Sequence, residues 1–370
     1  MKELINQIAL QKVKGIGPST IRKLTADFKS TEAVFRATKN DFNSKYKVSG
    51  EKIYQLIQKA KSNHTDALKE YNHCQNKNYS LVSYSCADYP ENLKNCPDAP
   101  QILYFSGNIN LKEHQLISIV GTRSNSSYGQ QVVKNILNSL KNYQITIVSG
   151  LAKGIDYLTH YYCVQNQIPN IAVLAHGLNY VYPKYHTEIT KELKANGGLI
   201  TEFGPFIKAN KYHFPKRNRI IAGISSATLV IESPKKGGAM ITARIAGSYN
   251  RDVFAVPGNI YSYSSKGCNQ LIFNNEAHLL DSTESLINMM GLTKKKSTLL
   301  SENIPNLEKL DLQLQERKLL KQLYQEPNSD YDFLTTQLKI SIEQLQSLLT
   351  SLEIKGHIEM LFGKKIKIIT

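Results

Sequence analysis

The sequence contains no long apolar segment. Among its 370 residues there is no run of about 18 consecutive apolar residues, the length that a membrane-spanning helix requires. Residues 1–7 also lack the apolar core of a secretory signal peptide. We therefore expect a cytoplasmic protein that has no membrane partner.

Cysteine is scarce and irregularly spaced. The number is odd, and no two cysteines form a C-x-x-C pair, which argues against a disulfide scaffold and against a zinc site. We expect buried, reduced thiols and no bound metal. The cysteines are Cys74, Cys86, Cys96, Cys163 and Cys268.

Nucleotide-binding fingerprints are absent as well. Neither 121–126 nor 150–155 fits G-x-G-x-x-G, and no G-x-x-x-x-G-K-[ST] motif occurs. The sequence therefore predicts neither a dinucleotide site nor an ATP-hydrolysing P-loop. We expect no cofactor. We also expect no catalytic residues, because no metal-carboxylate cluster or complete hydrolase motif is present.

Acidic residues are few compared with basic ones. Lysine and arginine number 46 against 30 aspartates and glutamates, which gives a net charge of +16. Such an excess favours a polyanionic partner, namely nucleic acid, an anionic membrane surface or a phosphorylated ligand. The alternative is a solubilising surface in a lysine-rich proteome.

Residues 76–290 carry the pattern of an α/β domain. Short apolar strands alternate there with helical stretches, which is typical of a parallel sheet. The strands are rich in β-branched residues and apolar throughout, as expected of strands that are buried on both faces. The predicted strands are 116–120, 145–148, 171–174, 199–202, 228–231 and 253–256.

The segments on either side differ. Residues 1–75 are predicted to be helical, and Gly15-Ile16-Gly17-Pro18 marks the end of one helix and the start of another. This turn is similar to the hairpin of helix-hairpin-helix modules, in which a helix N-terminus meets a phosphate. A purely structural turn explains it equally well. Residues 291–307 are polar and lysine-rich, which predicts a linker, and 308–370 predict a winged-helix-like domain ending in a β-hairpin.

Glycine or a small polar residue follows nearly every predicted strand. Because the carboxyl ends of parallel strands share one edge of the sheet, these residues should line one crevice. Glycines let backbone N–H groups approach a ligand, and the helix N-termini that follow favour anions. We therefore predict an anion-binding edge that includes Gly121, Thr122, Arg123, Gly150, Gly237 and Gly238.

The densest cationic cluster lies in 211–221. Pro215 suits the first turn of a helix, and basic residues crowd that turn. Cations at this end oppose the helix dipole, so an anionic partner gives them a physical reason. The polar residues of the cluster are Lys211, Lys216, Arg217, Asn218 and Arg219.

Two residues of this cluster allow more than one interpretation. Arg219 either contacts an anion or forms an ion pair with a carboxylate such as Glu202 or Glu232. Phe214 is either a core residue or a platform for an unstacked base.

Five segments form a recognisable series within residues 80–290. They are G-T-R at 121–123, S-G-L-A-K-G-I-D at 149–156 with His160, Y-P at 182–183, F-P-K-R-N-R-I-I-A-G at 214–223, and A-V-P-G at 255–258 followed by G-C-N at 267–269. Their order and spacing resemble the family of DNA-processing protein A, also called DprA/Smf.

This resemblance implies an extended Rossmann-like domain that binds single-stranded DNA and forms a homodimer. It also implies a role in natural transformation, in which incoming strands are protected and RecA recombinase is loaded onto them. By matching positions, the family's phosphate loop falls on Arg123, and its DNA-contacting lysine and base-stacking aromatic fall on Lys211 and Phe214. Arg217 and Arg219 belong to the same pocket. Further basic positions near the crevice are Lys153 and Lys184.

The chain departs from the family pattern at 237–243. Where the family commonly has S-G-[ST]-L-I-T-A, this sequence has G-G-A-M-I-T-A. The missing hydroxyl groups remove possible phosphate contacts, and the exposed backbone of the two glycines is a possible substitute.

Two other functions each match part of the sequence. A phosphoribohydrolase of the lysine-decarboxylase-like type carries P-G-G-x-G-T-x-x-E about where Gly237-Gly238 occurs, but the third glycine and the glutamate are missing here. Without that carboxylate there is no evident general acid or base. A double-stranded-DNA transcription factor would depend on 308–370 alone. Its predicted recognition region, 342–353, has few cations, which favours a protein contact.

A dimer surface is predicted late in the α/β domain, where apolar residues cluster after Gly267. The alternative is that these residues only cover the last strand of the sheet. They are Leu271, Ile272, Phe273, Leu279 and Leu280.

Overall fold

The computed structural model describes residues 1–108, 111, 114–295, 310–325, 331–361 and 365–369. The chain divides into two units, residues 1–294 and residues 295–370. Residues 1–75 therefore belong to the same unit as the sheet. Most of the predicted linker, 296–307, lies outside the described residues.

A nine-stranded sheet is the centre of the larger unit in its described part. Its strands are β1 (Ser80–Ser83), β2 (Ile102–Gly107), β3 (Gln115–Val120), β4 (Ile145–Ser149), β5 (Asn170–Val173), β6 (Gly197–Thr201), β7 (Ala227–Val230), β8 (Asp252–Ala255) and β9 (His278–Leu279). The order across the sheet is β1-β2-β6-β5-β4-β3-β7-β8-β9.

Helices precede the sheet and connect its strands. They are α1 (Lys2–Gln11), α2 (Pro18–Phe28), α3 (Thr31–Arg36), α4 (Lys39–Tyr46), α5 (Gly50–Ser62), α6 (His64–Asn76), α7 (Glu91–Lys94), α8 (Ser127–Leu140), α9 (Ile155–Gln165), α10 (Thr187–Ala195), α11 (His213–Ile224), α12 (Gly238–Ser248), α13 (Lys266–Phe273) and α14 (Thr283–Met290). Among the helices that the structure describes, none has both the length and the apolar character needed to span a membrane.

The sheet confirms the predicted α/β class. The strands β6-β5-β4-β3-β7-β8-β9 pair in parallel. The antiparallel pairs lie at one edge, where β1 pairs with β2 and β2 with β6. All six predicted strands are present, each displaced by at most two residues. The prediction missed β1, β2 and β9, because two of them form an antiparallel edge and the third has only two residues.

Helices cover both faces of the sheet, which explains why its central strands are apolar throughout. One apolar cluster joins α11, α12 and α13 to the sheet. A second joins α8, α9 and α14 to it, and a third joins α1, α6 and α10 to its β2–β6–β5 part. The cysteine prediction is correct for four residues, which are buried, and wrong for Cys86, which is exposed in the turn after β1.

The strand order reverses at β3. From β3 the chain moves outward through β4 and β5 to β6, and then returns to β7 on the other side of β3. The chain therefore leaves the ends of the adjacent strands β3 and β7 in different directions, and a crevice lies between the two loops. The N-termini of α8 and α12 lie at this reversal, because each helix follows one of the two strands.

The predicted N-terminal turn is present, and it is a docking element. Gly15 has φ +102°, and α2 begins at Pro18. On the first turns of α2, Arg22 donates hydrogen bonds to the carbonyl oxygens of Ala99 and Pro97, at 2.8 and 2.9 Å. These contacts dock α2 on the segment before β2, whereas Gly15 and Gly17 of the turn itself are exposed.

The second unit contains three described helices and an antiparallel hairpin. Leucines of all three helices form its core with Ile358. Lys355 forms an ion pair of 2.7 Å with the buried carboxylate of Glu316, which ties the third helix to the first. The elements are α15 (Leu314–Gln325), α16 (Tyr331–Leu338), α17 (Ile342–Ile354), β10 (Ile358–Leu361) and β11 (Lys365–Ile368).

Candidate nucleic-acid interface

Two adjoining cavities lie along the carboxyl edge of the sheet. The first, of about 200 Å³, is bounded by the loops after β4 and β5 and by 182–185. The second, of about 320 Å³, lies at the reversal of strand order, between the loop after β3 and the N-termini of α11 and α12. Both are lined by Arg123, Ala152 and Phe214, so they form one continuous crevice.

Phe214 stands between the two cavities. It is the second residue of α11 and is half-buried. Its ring centroid lies 5.8 Å from that of Tyr182, and the guanidinium carbon of Arg123 lies 5.5 Å from it. Phe214 belongs to the wall of the crevice, and its ring is placed where an aromatic or cationic group can contact it.

Four of the predicted basic residues are exposed along this edge. Arg123 lines both cavities and Lys153 lines the first. Lys184 lies between two lining residues without lining the cavity itself. Lys211 lies two residues before the start of α11, with its Nζ 5.1 Å from the ring of Tyr212. No acidic residue is among the described residues that line the first cavity. The local charge is therefore positive.

Arg217 forms the floor of the second cavity. It is only 4% exposed, and its Nη1 donates a 3.1 Å hydrogen bond to the carbonyl oxygen of Val173. Burial lowers the pKa of Arg217 to about 10, and the neighbouring Asp156 opposes this effect. Its Nε is buried and has no hydrogen-bond partner within the described residues. The site thus keeps a charged guanidinium with unused donor capacity beside the cavity.

Gly150 makes room for this arginine. A Cβ atom at this position would lie 1.6 Å from Nη1 of Arg217, which no side chain tolerates. Gly150 was predicted to let the backbone approach a ligand. Its geometry gives it a second task, which is to admit the guanidinium beneath the loop after β4.

The N-terminus of α12 opens into the second cavity. Gly237 is its N-cap and Gly238 its first residue, and both line the cavity together with Asn218. A Cβ at Gly238 would meet nothing within 4 Å. The N–H of Gly237 donates to the carbonyl oxygen of Pro234 at 2.9 Å, so Gly238 is the residue of this helix start that has open space beside it, where the helix dipole favours an anion.

The N-terminus of α8 is already occupied. The buried carboxylate of Glu232 accepts hydrogen bonds from the backbone N–H of Ser126 at 2.9 Å, from the Ser126 hydroxyl at 2.6 Å and from the Ser264 hydroxyl at 2.9 Å. Rossmann proteins place a pyrophosphate at the corresponding helix start. An internal carboxylate at this position agrees with the missing dinucleotide fingerprint.

The loop after β3 serves packing as well as the cavity. Gly121 and Thr122 line the second cavity. A Cβ at Gly121 would lie 2.5 Å from the side chain of Ile155, and the N–H of Thr122 donates to the carbonyl oxygen of Glu232 at 2.8 Å. The side chain of Arg123 is thus the part of this loop that is free to contact a ligand.

Arg219 and Lys216 point elsewhere. Arg219 is 8% exposed and donates to the carboxylate of Glu202 and to the carbonyl oxygen of Asp98. The Nζ of Lys216 lies 3.6 Å from the same carboxylate. Neither side chain lines either cavity. For Arg219, the structure therefore has the ion pair that the sequence left open as an alternative.

Sequence reasoning missed, among other lining residues, two tyrosines and a histidine of the first cavity. Tyr182 and Tyr185, which are 53% and 68% exposed, form a rim on the first cavity. His176 lies in its wall, and burial lowers the pKa of this imidazole, so it is neutral at pH 7. The Tyr182-Pro183 pair already belonged to the recognised series, and that was the available signal for the rim.

The predicted dimer surface divides into two parts. Leu271 and Leu280 are 1% and 5% exposed and belong to the core, so the prediction was wrong for them. Ile272 is half-buried. Phe273 and Leu279 are 86% and 48% exposed. In α13 the split follows from helical periodicity, because Leu271 lies on the face packed against the sheet and Phe273, two residues later, lies on the opposite face.

Comparison with known proteins identifies the family. A sequence model for DNA recombination-mediator protein A matches residues 80–291. The protein Smf of Synechocystis is 34% identical over 287 residues, which span 76% of this chain and 71% of the relative. The chain belongs to the DprA/Smf family. The DprA of Streptococcus pneumoniae is 39% identical over 192 residues, which span 51% of this chain and 68% of that protein.

Solved DprA structures share the fold. The structure of DNA processing protein A from Streptococcus pneumoniae matches with a TM-score of 0.59 and 29% identity, covering 74% of this chain and 98% of that chain. A structure of the Helicobacter pylori protein, described for its single-stranded-DNA binding mode, matches with a TM-score of 0.52 and 25% identity, covering 57% of this chain and 95% of that chain. The resemblance to DprA/Smf that the motifs predicted is thus confirmed.

The packing of Gly150 against Arg217 gives a test of the crevice floor. We expect Gly150→Ala to lower the free energy of unfolding by about 1–3 kcal/mol, because the added methyl group must displace the guanidinium. Gly238→Ala is the matched control. It fills open space at a helix start, so it should be neutral or stabilising by up to about 1 kcal/mol. Urea titrations of both variants measure the difference, and equal stabilities would contradict the assignment.

Proposed function

We propose that this DprA/Smf protein binds single-stranded DNA in the crevice at the carboxyl edge of its sheet. The observation that carries the proposal is the pair of joined cavities, with the exposed Arg123, the buried Arg217 and the ring of Phe214 at their junction. The single-stranded-DNA binding described for the Helicobacter pylori relative supports the same function here.

The shape of the crevice favours a single strand over a duplex. Its rim carries the aromatic rings of Phe214, Tyr182 and Tyr185. Such rings stack on bases of any sequence, but only where the bases are unpaired and can leave their own stack. The phosphates are then held by Arg123 and by the open start of α12 at Gly238. Sequence preference should be weak, because no base-reading set of polar groups is required.

We infer that the protein acts without catalysis. Asp156 is the carboxylate among the described residues that line the two cavities. It is buried, and the charged groups that act on its pKa are the guanidinium groups of Arg217 and Arg123, with no second acid among them. The hydrolase alternative requires a glutamate downstream of Gly238, where this chain has Ala243 and Arg244.

The wider role follows from family membership. We propose that the protein protects strands during natural transformation, acts as a homodimer and helps load RecA recombinase. For the dimer, the exposed Phe273 borders an open cleft that also includes Ile260, which is 69% exposed. For the second unit we propose a winged-helix-like fold that contacts protein. Its helix α17 carries Glu343 and Glu353 and no lysine or arginine, which disfavours a DNA groove.

Binding should weaken steeply as salt rises, because each phosphate contact releases counterions. We expect the logarithm of the association constant for a fluorescein-labelled oligo-dT to fall linearly with the logarithm of KCl concentration. Arg123→Gln should reduce that slope by about 0.7, the value for one lost contact on a single strand. Anisotropy titrations over a salt series measure both quantities. Salt-independent binding, or a preference for duplex of the same length, would refute the proposal.

Phe214 should contribute by stacking. We expect Phe214→Ala to weaken oligo-dT binding by about 1–3 kcal/mol and to change the melting temperature little, because the ring is only half-buried. Phe206→Ala serves as the control, since this ring is 52% exposed and lines neither cavity. If Phe214→Ala lowers the melting temperature strongly and leaves affinity unchanged, the ring is a core residue.

The exposed apolar surface at Phe273 tests the dimer. We expect Phe273→Asp to give a folded monomer that binds long oligo-dT less tightly, because two linked sites hold one strand with higher avidity. Sedimentation at micromolar concentration measures the oligomeric state, and RecA filament growth on strands coated with single-strand-binding protein measures loading. A wild-type chain that stays monomeric with and without DNA would contradict the dimer, and unaltered RecA filament growth on addition of the wild type would contradict the loading role.

A further inference from the structure

Arg219 is bound on two sides by the chain itself. Its guanidinium donates to the buried carboxylate of Glu202, directly after β6, and to the carbonyl oxygen of Asp98. Glu202 is 3% exposed and Arg219 is 8% exposed. Since this charge is neutralised within the protein, Arg219 has little net attraction left for a phosphate.

The same segment after β6 also holds the first turns of α11. The ring of Phe203 stacks on that of His213 with a centroid distance of 4.2 Å. Lys216, one turn later, approaches the carboxylate of Glu202 at 3.6 Å. These turns carry Phe214 and Arg217, so the position of both crevice residues depends on how α11 is fixed to the end of β6.

The N-terminal helices reach these contacts from the other side. The amide of Gln11 donates to the carbonyl oxygen of Glu202 at 3.0 Å. Arg22 binds the carbonyl oxygens of Pro97 and Ala99, the residues on either side of Asp98. Both partners of Arg219 are therefore held in place by α1 and α2.

We propose that Arg219, Glu202 and Asp98 form a positioning bracket that fixes α11, and that the N-terminal helices support DNA binding through this bracket without touching the strand. The effect on affinity rests on the proposed single-stranded-DNA function, whereas the positioning of α11 does not. Arg219 is thus a positioning residue for Phe214 and Arg217.

Replacing Glu202 by glutamine distinguishes a positioning role of Arg219 from a direct contact between Arg219 and phosphate. If Arg219 contacted phosphate, Glu202→Gln would release its charge and strengthen binding. If the bracket positions α11, Glu202→Gln breaks the ion pair and weakens binding, although it makes the protein more positive. The dependence of binding on salt also distinguishes the two roles of Arg219. Only the loss of a phosphate contact lowers the slope of the logarithm of the association constant against the logarithm of KCl concentration.

The experiment measures Kd for fluorescein-labelled oligo-dT over a KCl series. We expect Arg219→Gln and Glu202→Gln each to raise Kd by about ten-fold with the wild-type salt slope, and the double variant to be no weaker than either single one. Arg219→Lys should be intermediate, because lysine keeps the ion pair but not both hydrogen bonds. Gln11→Ala should weaken binding in the same direction. A slope that falls in Arg219→Gln as it does in Arg123→Gln, or tighter binding by Glu202→Gln, would overturn the proposal.

A second readout needs no DNA. The chain contains no tryptophan, so Phe214→Trp places a single reporter at the start of α11. In that background, Glu202→Gln and Arg219→Gln should shift the emission maximum, whereas Lys69→Gln, which breaks an exposed ion pair with Asp66, should not. Unchanged emission in the folded bracket variants would refute the positioning role.

The two failures can be told apart. A wild-type protein that does not bind oligo-dT would refute the proposed function, and the emission shift would still decide whether the bracket fixes α11. Thermal melts establish that each variant is folded at the assay temperature. If Arg219→Gln does not fold, the Kd and the salt slope of Arg219→Lys and Gln11→Ala are compared with those of the wild type instead.

Discussion

The buried guanidinium of Arg217 sets the conditions for the crevice around it. Burying a cation is costly unless hydrogen bonds and an opposite charge compensate, and here the carbonyl oxygen of Val173 and the carboxylate of Asp156 supply both. The space for it exists only because position 150 is glycine. The loop after β4, the end of β5 and the first turn of α9 must therefore agree in position before Arg217 of α11 can lie under the cavity, and the parallel sheet is what aligns them.

The N-termini of α8 and α12 differ in whether a group of the protein already occupies them. At α8 the carboxylate of Glu232 satisfies the backbone and hydroxyl donors of Ser126, so that position is closed to an external anion. At α12 the corresponding position at Gly238 is open. In the proposed interface, a ligand anion therefore meets the start of α12 and not the start of α8.

Much of this arrangement could be read from the sequence, and the limits have physical causes. The parallel strands were evident because each is apolar throughout, and the crevice followed because their ends share one edge. The direction of individual side chains was not evident. Arg217 and Arg219 are two residues apart on a helix and therefore face different sides, one toward the crevice and the other toward Glu202. Helical periodicity predicts that the two side chains point in different directions, but it does not show which of them faces the ligand. Similarly, Leu271 and Phe273 looked equivalent as apolar residues, and only the packing of α13 separates them.

The open start of α12 has a consequence for how the family can drift in sequence. In the proposed interface Gly238 offers its backbone N–H alone, since it has no side chain to contribute. A contact of that kind loses no rotamer freedom when a strand binds. It also survives exchange of the residue type, apart from proline, which has no N–H to give. The interface is therefore expected to be robust to mutation at Gly238, where a Cβ meets nothing within 4 Å, and sensitive at Phe214, where the contact resides in a single ring.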